Sequence, residues 1–521
     1  MRYAIGAVAN ESNRTWAGGR QSYVQYDPIV EHPIGIDAET GQYIPRVAKR
    51  WEISPDLSEW TFFLNEGIPF HNDWGELTSK DVKHTLSFML REDSRLSTGR
   101  FYAGPKRKVP IDDVFEIIDD HTFKIVFHGP GNVPTTTSFG DFLMSNASSE
   151  MGVWSKDFWD AEGEAGLDAK GLQGSGSYQY LGREPAQSII FERAPQPHWN
   201  GETPEFEEVE IFWVIEDASR YAAVRAGEAH IADLPLDLQK DAEKRGLKLI
   251  RSRFTANNLF IFFGGLWFSS IPRDKENFDS TVPWTDIRVR EAMNKAINRE
   301  ELLQELYQGI GELMYVGNAH PTLEGWDDTW PERYKTKYKY NPEEATRLLA
   351  EAGYGPDNPI KVNAMSYVSP GESELPQVLE AVCIYWERVN VNCEIEDMDG
   401  AAVAKRYRNY ENAHSVWPNI IIYFPVEYWE NAIHGDRNRS QPYRDDWIVE
   451  NVNKLRGTTN AGERDKLARE ILNYDFENYV DMPLFWFRHT VVVDPKVVSD
   501  WVYPGNAVPR ASHLWRVKAA R

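Results

Sequence analysis

Cysteine is nearly absent, with Cys383 and Cys393 the only two in 521 residues. Two thiols exclude a disulfide-dense scaffold, and neither has a partner at zinc-ligand spacing. They read first as buried small side chains, one ending a helical stretch and one in the strand after it, with a structural disulfide as the second reading. No run of about 18 apolar residues occurs, so no segment suits a membrane-spanning helix. Basic residues are the minority, 57 Lys and Arg against 80 Asp and Glu, and the net charge of −23 excludes a phosphate-reading nucleic-acid binder. Catalytic signatures are also missing: no G-x-x-x-x-G-K-S/T loop, no H-E-x-x-H and no G-x-S-x-G elbow. The 12 histidines are scattered without ligand spacing. Carboxylate pairs remain, but with 80 acidic residues abundance singles none out.

What is present is an ordinary globular composition, 41% hydrophobic and 26% charged, in a chain long enough for two or three domains. One segment, Gly171 to Pro235, organises the rest. A glycine-rich bend at Gly174-Ser-Gly-Ser-Tyr178 reads as a structural turn, since it lacks a phosphate loop's lysine. A strand of β-branched and aromatic residues follows at Ser188–Glu192, then a turn at Trp199-Asn200-Gly201. A second strand at Val209–Val214 places Val209, Ile211 and Trp213 on one face. Asp217 to Arg225 reads as a helix stopped by Gly227.

Elsewhere the chain opens on a strand at Tyr3–Val8. Ala48–Leu64 alternates as a hairpin turning at Ser54–Ser58, and a strand pair flanks Asp119–His121. Thr78 is placed to cap a helix whose third position is Asp81. His71 and Asp73, in a turn, read as structural. From Asp286, residues Val289, Ala292, Met293, Ala296 and Ile297 recur on one helical face. Asn298 caps the next helix, with Glu301 three residues on and Gly309 as the stop, and Asn341-Pro342 opens another that ends at Gly353. Residues 360–397 read strand, helix, strand, a βαβ-like unit that predicts a mixed α/β second lobe.

These motifs resemble, in order and over nearly the whole chain, the oligopeptide/dipeptide/nickel family of extracellular solute-binding proteins, the capture subunits of ABC importers. The resemblance lies in the Gly174–Tyr178 bend, Glu192–Trp199, Gly227–Ile231, the Ala48–Leu64 hairpin, Asp286–Arg299 and the Asn341 helix. Departures are Ser177 for Pro, His198 for Tyr and His230 for Asp. The resemblance implies an α/β, two-lobed periplasmic-binding-protein fold: mixed sheets flanked by helices, two crossing strands between the lobes, and an extra subdomain in the first. The expected boundaries are 1–45, 171–255 and 486–521 for the first lobe, 46–170 for the inserted subdomain and 256–485 for the second lobe.

The resemblance further implies a non-enzymatic protein without cofactor or metal that delivers its ligand to permease subunits. It is expected to be a monomer, periplasmic or extracellular, with or without a lipid anchor, its leader already removed. Sites of this kind are clefts lined with aromatics and a few placed polar groups. The candidate contacts are Glu11, Trp16, Phe142, Asn146, Phe263, Trp267, Trp417, Tyr423, Phe424, Glu427, Tyr428 and Trp486. Peptide-binding relatives hold the ligand's ammonium with an Asp near Tyr423–Trp429. Glu427 is positioned either to take that role or to face solvent. A peptide is therefore the leading ligand, with an oligosaccharide stacked on Trp and Tyr as the alternative and nickel or haem behind both. A secreted carbohydrate-active enzyme, and a sensor or chaperone on the same fold, are the readings from other classes.

Overall fold

The computed structural model describes the chain except residues 7, 9, 19, 105, 130–133, 135, 136, 138, 149, 196, 254–256, 369–373, 423, 424, 435–441 and 504–512. Of residues 20, 21, 421, 422, 428, 431 and 432 it describes the backbone alone. The chain forms two units, Met1–Phe254 with His489–Arg521, and Thr255–Arg488. No helix among the described residues is long and apolar enough to cross a membrane.

The first unit is built on a seven-stranded mixed sheet. Its strands run, in spatial order, Lys248–Arg251, Thr490–Val493, Ile231–Ala232, Arg2–Ile5, Glu208–Trp213, Ser188–Arg193 and Tyr178–Glu184. Arg2–Ile5 pairs in parallel with both of its neighbours, and the outer pairings are antiparallel. Burial follows the period of two along Glu208–Trp213, where Val209 and Ile211 are fully buried. The Asp217–Ala226 helix covers one face through Tyr221 and Val224, packed with Ala4, Ala232, Leu234 and Val492. It ends at Gly227, whose φ of 76° is the left-handed cap that glycine adopts without strain.

The same unit carries a four-stranded antiparallel sheet, in the order Ala48–Ile53, Glu59–Leu64, Thr122–Val126, Phe115–Asp119. Its inward residues stack: Phe62 lies 5.1 Å from Phe123, and Phe123 lies 4.7 Å from Phe115. The adjoining Ser79–Met89 helix starts at Thr78, whose amide and hydroxyl both donate to Asp81 Oδ2, at 2.9 and 3.1 Å.

The second unit holds a six-stranded sheet: Gly311–Leu313, Asp481–Phe487, Asn257–Phe263, Ser415–Ile422, Ile360–Ser366 and Val391–Asp397. Asn257–Phe263 and Asp481–Phe487 are buried at every position, as interior strands covered on both faces are. The 360–397 segment is a parallel pair joined by the Leu375–Glu387 helix. The capping readings hold in detail. Asp286, Asn298 and Asn341 accept from the amides of Arg288, Glu301 and Glu344. One stop shifts: Gln308 takes the left-handed cap and Gly309 follows it.

The cysteine reading is corrected. Cys383, on the Leu375–Glu387 helix, is bonded to Cys393, on the Val391–Asp397 strand, with their Cα atoms 5.8 Å apart. The tight helix-to-strand turn brings two nearby positions into bridging range, a proximity that sequence spacing alone leaves undecided.

Candidate functional site

In the first unit the glycine-rich bend is a backbone-to-backbone contact. Gly176 N donates to Ile29 O at 2.7 Å and Tyr178 N to Pro28 O at 3.2 Å. A Cβ on Gly174 would sit 2.1 Å from Ile29 O, and one on Gly176 2.4 Å from Pro28 O, so only glycine permits this approach. The bend therefore locks the 28–31 segment and with it Glu31.

Glu31 is buried, and Arg46 grips it through Nε and Nη2 at 2.7 and 3.0 Å. His198 Nε2 lies 2.8 Å from the same carboxylate, while Nδ1 contacts Asn200. Burial works to raise the pKa of Glu31, but Arg46 and then His198 overcome it and hold it at about 2. Burial likewise opposes charge on His198, and Glu31 outweighs it, so the imidazole is raised. Trp199 and Trp515 flank the Arg46 guanidinium at 5.7 and 4.8 Å.

Next to this triad a cavity of about 240 Å³ is lined by Phe70, His71, Gln179, Pro197, His198 and Trp199, among others. His71 Nε2 donates to Gly176 O at 2.8 Å, and burial lowers its pKa to about 4, so it is neutral near pH 7. The cavity is lined by His198, whose charged form Glu31 favours, and by the neutral His71.

The expected ligand contacts fall as follows. Glu11 accepts from Trp213 Nε1 and from Ala186 N, the latter at 2.9 Å. Trp16 is buried 4.5 Å from Phe88 and 6.0 Å from Trp159. Phe142 is buried in the Gly140–Met144 helix, and partly exposed Asn146 lines a small cavity with Glu31, Arg46 and His513.

In the second unit Phe263 is buried 5.7 Å from Trp284, and Trp267 lies 4.6 Å from Tyr410. Trp417 is 1% exposed, with Phe262 at 5.4 Å and Tyr407 stacked at 6.2 Å. Trp486 donates to Ala319 O at 3.0 Å. Tyr423 and Phe424 lie outside the described residues, as does the side chain of Tyr428.

Glu427 requires a correction. It is 1% exposed, so the solvent-facing alternative fails, and Arg464 Nη2 lies 3.3 Å from its carboxylate. Arg464 also reaches Glu324 at 2.9 Å and two backbone carbonyls, of Leu455 and Thr458. Position in the sequence signalled a carboxylate there but not the arginine 37 residues away that meets it.

Comparison with known proteins identifies the assembly. The family described as bacterial extracellular solute-binding proteins, family 5 Middle, matches residues 42–430. The chain belongs to this family. It is 26% identical to the dipeptide-binding protein of Escherichia coli (strain K12), over 74% of this chain and 68% of that one. It is 24% identical to heme-binding protein A of Haemophilus influenzae (strain ATCC 51907 / DSM 11121 / KW20 / Rd), over 74% and 67%. Among solved structures, the periplasmic binding protein DppA of Helicobacter pylori in complex with the peptide STSA superposes with a TM-score of 0.74. That match covers 100% of this chain and 98% of that one at 18% identity, which carries the fold alone. The fold of this family 5 protein is thus the two-lobed one of its structural neighbours.

Proposed function

We propose that this family 5 protein is the non-enzymatic capture subunit of an ABC importer, that it works in the periplasm or outside the cell, and that its solute is a short peptide. The observation that carries the reading is family membership across residues 42–430, joined to a dipeptide-binding relative aligned over 74% of the chain. The Cys383–Cys393 bridge supports an oxidising compartment, since cytosolic thiols are kept reduced. Family 5 proteins serve as partners of membrane permeases, and we infer the same here.

In this reading Glu427 holds Arg464 in place and does not itself take the solute's ammonium. Glu11 and Asn146 keep partial exposure and stay proposed contacts, as do Tyr423, Phe424 and Tyr428 on sequence grounds. The buried rings of Trp16, Phe142, Phe263, Trp267, Trp417 and Trp486 act through packing. The sugar-stacking alternative loses Trp417, whose neighbours Phe262 and Tyr407 bury it.

The test begins with protein unfolded and refolded to strip co-purified solute. Melting is then followed against di- to pentapeptides, oligosaccharides and haem. A ligand that binds only the folded state raises the melting point with its concentration. A peptide-dependent rise with one peptide bound and no product formed supports the proposal. A rise with haem or sugar and none with peptides overturns the peptide assignment.

A further inference from the structure

In the second unit, Glu430 near the end of the Val426–Ile433 helix, His434 just beyond it, and Asp475 on the Ala461–Asn478 helix turn three side chains into one buried spot. Glu430 and His434 are fully buried and Asp475 is 8% exposed. Glu430 and His434 are four residues apart, so one helical face presents both. Asp481, at the start of its strand, is buried nearby.

The protonation of His434 can be worked out from its neighbours. Nδ1 lies 2.8 Å from Tyr443 O, and a carbonyl only accepts, so Nδ1 carries a hydrogen. Nε2 faces Glu430 Oε2 at 3.3 Å and Asp475 Oδ2 at 3.4 Å. A second hydrogen on Nε2 would serve two carboxylates at once, both beyond the roughly 2.7–2.9 Å of a charge-assisted bond. Without that hydrogen, a lone pair would confront two anions. Among the described residues neither Glu430 oxygen has a hydrogen-bond partner, and neither has Asp475 Oδ1.

Among the described residues no lysine or arginine pairs with Glu430, Asp475 or Asp481. Among the described residues, the guanidiniums of Arg290 and Arg299 are committed to other groups: Arg290 to Asn478 O and Trp284 O, Arg299 to Pro483 O and Asn294. Buried carboxylates without a cation are costly and are met in proteins by pairing or by a metal.

The structure assigns this cluster as a binding site for one divalent first-row cation, of the zinc class, with His434 Nε2, Glu430 and Asp475 as its ligands. For metal–ligand bonds of about 2.0–2.1 Å, a tetrahedron has edges of about 3.3–3.4 Å, which matches both distances from Nε2. The three ligand atoms all lie within 4.8 Å of one another, so rotation of one carboxylate closes the third edge. The Nδ1–Tyr443 bond is the outer hydrogen bond that fixes a metal-binding histidine's tautomer and aim. Two carboxylates and a neutral imidazole carry a charge of −2, which one divalent ion cancels.

The site is enclosed, so the ion would be acquired on folding or on local opening. The full chain is therefore treated with chelator, refolded with and without Zn²⁺, and desalted, and zinc is counted by mass spectrometry. About one zinc per chain is expected, with X-ray absorption showing nitrogen and oxygen ligands including one imidazole. Glu430→Gln and His434→Gln are expected to fold, to bind under a tenth of an equivalent, and to lose the zinc-dependent rise in melting temperature. His121→Gln, at a partly exposed histidine elsewhere, should keep both. Failure of the refolded wild type to retain zinc overturns the assignment, as does equal retention by the Glu430 and His434 variants. These readouts are independent of solute binding.

Discussion

Replacing His198 by glutamine isolates the charge that this chain places on Glu31. Glutamine keeps a donor of similar reach and removes the ionisable ring. In the folded protein the imidazole is 2.8 Å from Glu31 Oε1, and its pKa is raised above the ordinary 6.5. A raised folded pKa contributes stability that is complete below about pH 6.5 and is lost as pH climbs through the folded value. Glu31 has the opposite sense. Held at about 2, it contributes above about pH 4.5, and that contribution falls away as pH drops toward 2. The triad is therefore strongest between about pH 4.5 and 6.5.

A hydrogen bond to a charged partner contributes about 1.5–3 kcal/mol net. The bidentate Arg46 remains in the variant, so the low end applies, and about 1–2 kcal/mol should be lost at pH 6. The deficit should shrink as pH rises through the raised folded pKa of the wild-type imidazole. His71 and His513, lowered by burial to about 4 and about 3, destabilise both proteins alike as pH falls below 6.5 and largely cancel in the difference. With 19 tryptophans in two units, fluorescence would blur the result. Guanidinium titrations read by hydrogen exchange in peptides covering residues 28–47 report on the triad itself. A wild-type-minus-variant difference that stays flat from pH 5 to 9 would refute the argument.

Three further outcomes follow from single contacts. Reducing the Cys383–Cys393 bridge, which closes a loop of ten residues' separation, should cost the second unit about 3 kcal/mol on the chain-entropy estimate; an unchanged denaturation midpoint in protein shown by mass to be fully reduced counts against it. Gly174→Ala drives a Cβ onto Ile29 O and should destabilise by about 1–3 kcal/mol or more, whereas Gly182→Ala meets nothing within 4 Å and should stay within about 0.5 kcal/mol. Arg464→Met takes the guanidinium from the buried Glu427 and the partly exposed Glu324 and should cost about 3–5 kcal/mol. Glu427→Gln leaves Arg464 with Glu324 and should cost less, about 1–3 kcal/mol, and melting curves showing the reverse order would sink the pairing argument.

Local chemistry was the most legible part of the sequence. Caps at Asp286, Asn298 and Asn341, the turn at Ser54–Ser58 and the bend at Gly174–Tyr178 each depend on residues within a few positions of one another, so spacing determines them. The βαβ unit over 360–397 was legible for the same reason. Candidate contacts were harder, because an aromatic side chain looks alike in a sequence whether it meets a ligand or a neighbour's ring. Trp417 is decided by Phe262 and Tyr407, 155 and 10 residues away, and no pattern within its own strand encodes that.

The polar sites show where this boundary lies. Glu430 and His434 stand at helical spacing and were open to reading as a pair, yet a pair of this kind is common and carries nothing alone. The third member, Asp475, comes from a helix 41 residues further on, and the outer hydrogen bond goes to Tyr443 O, nine residues on. The same holds for Glu31, whose partners lie 15 and 167 residues away at Arg46 and His198. In each case the sequence supplies one helical face or one bridging residue, while the charge balance is set by elements that meet only on folding. His198 illustrates the consequence. Where the family pattern has tyrosine, this chain has an ionisable ring against a buried carboxylate, and that substitution makes its first unit's stability respond to pH near neutrality.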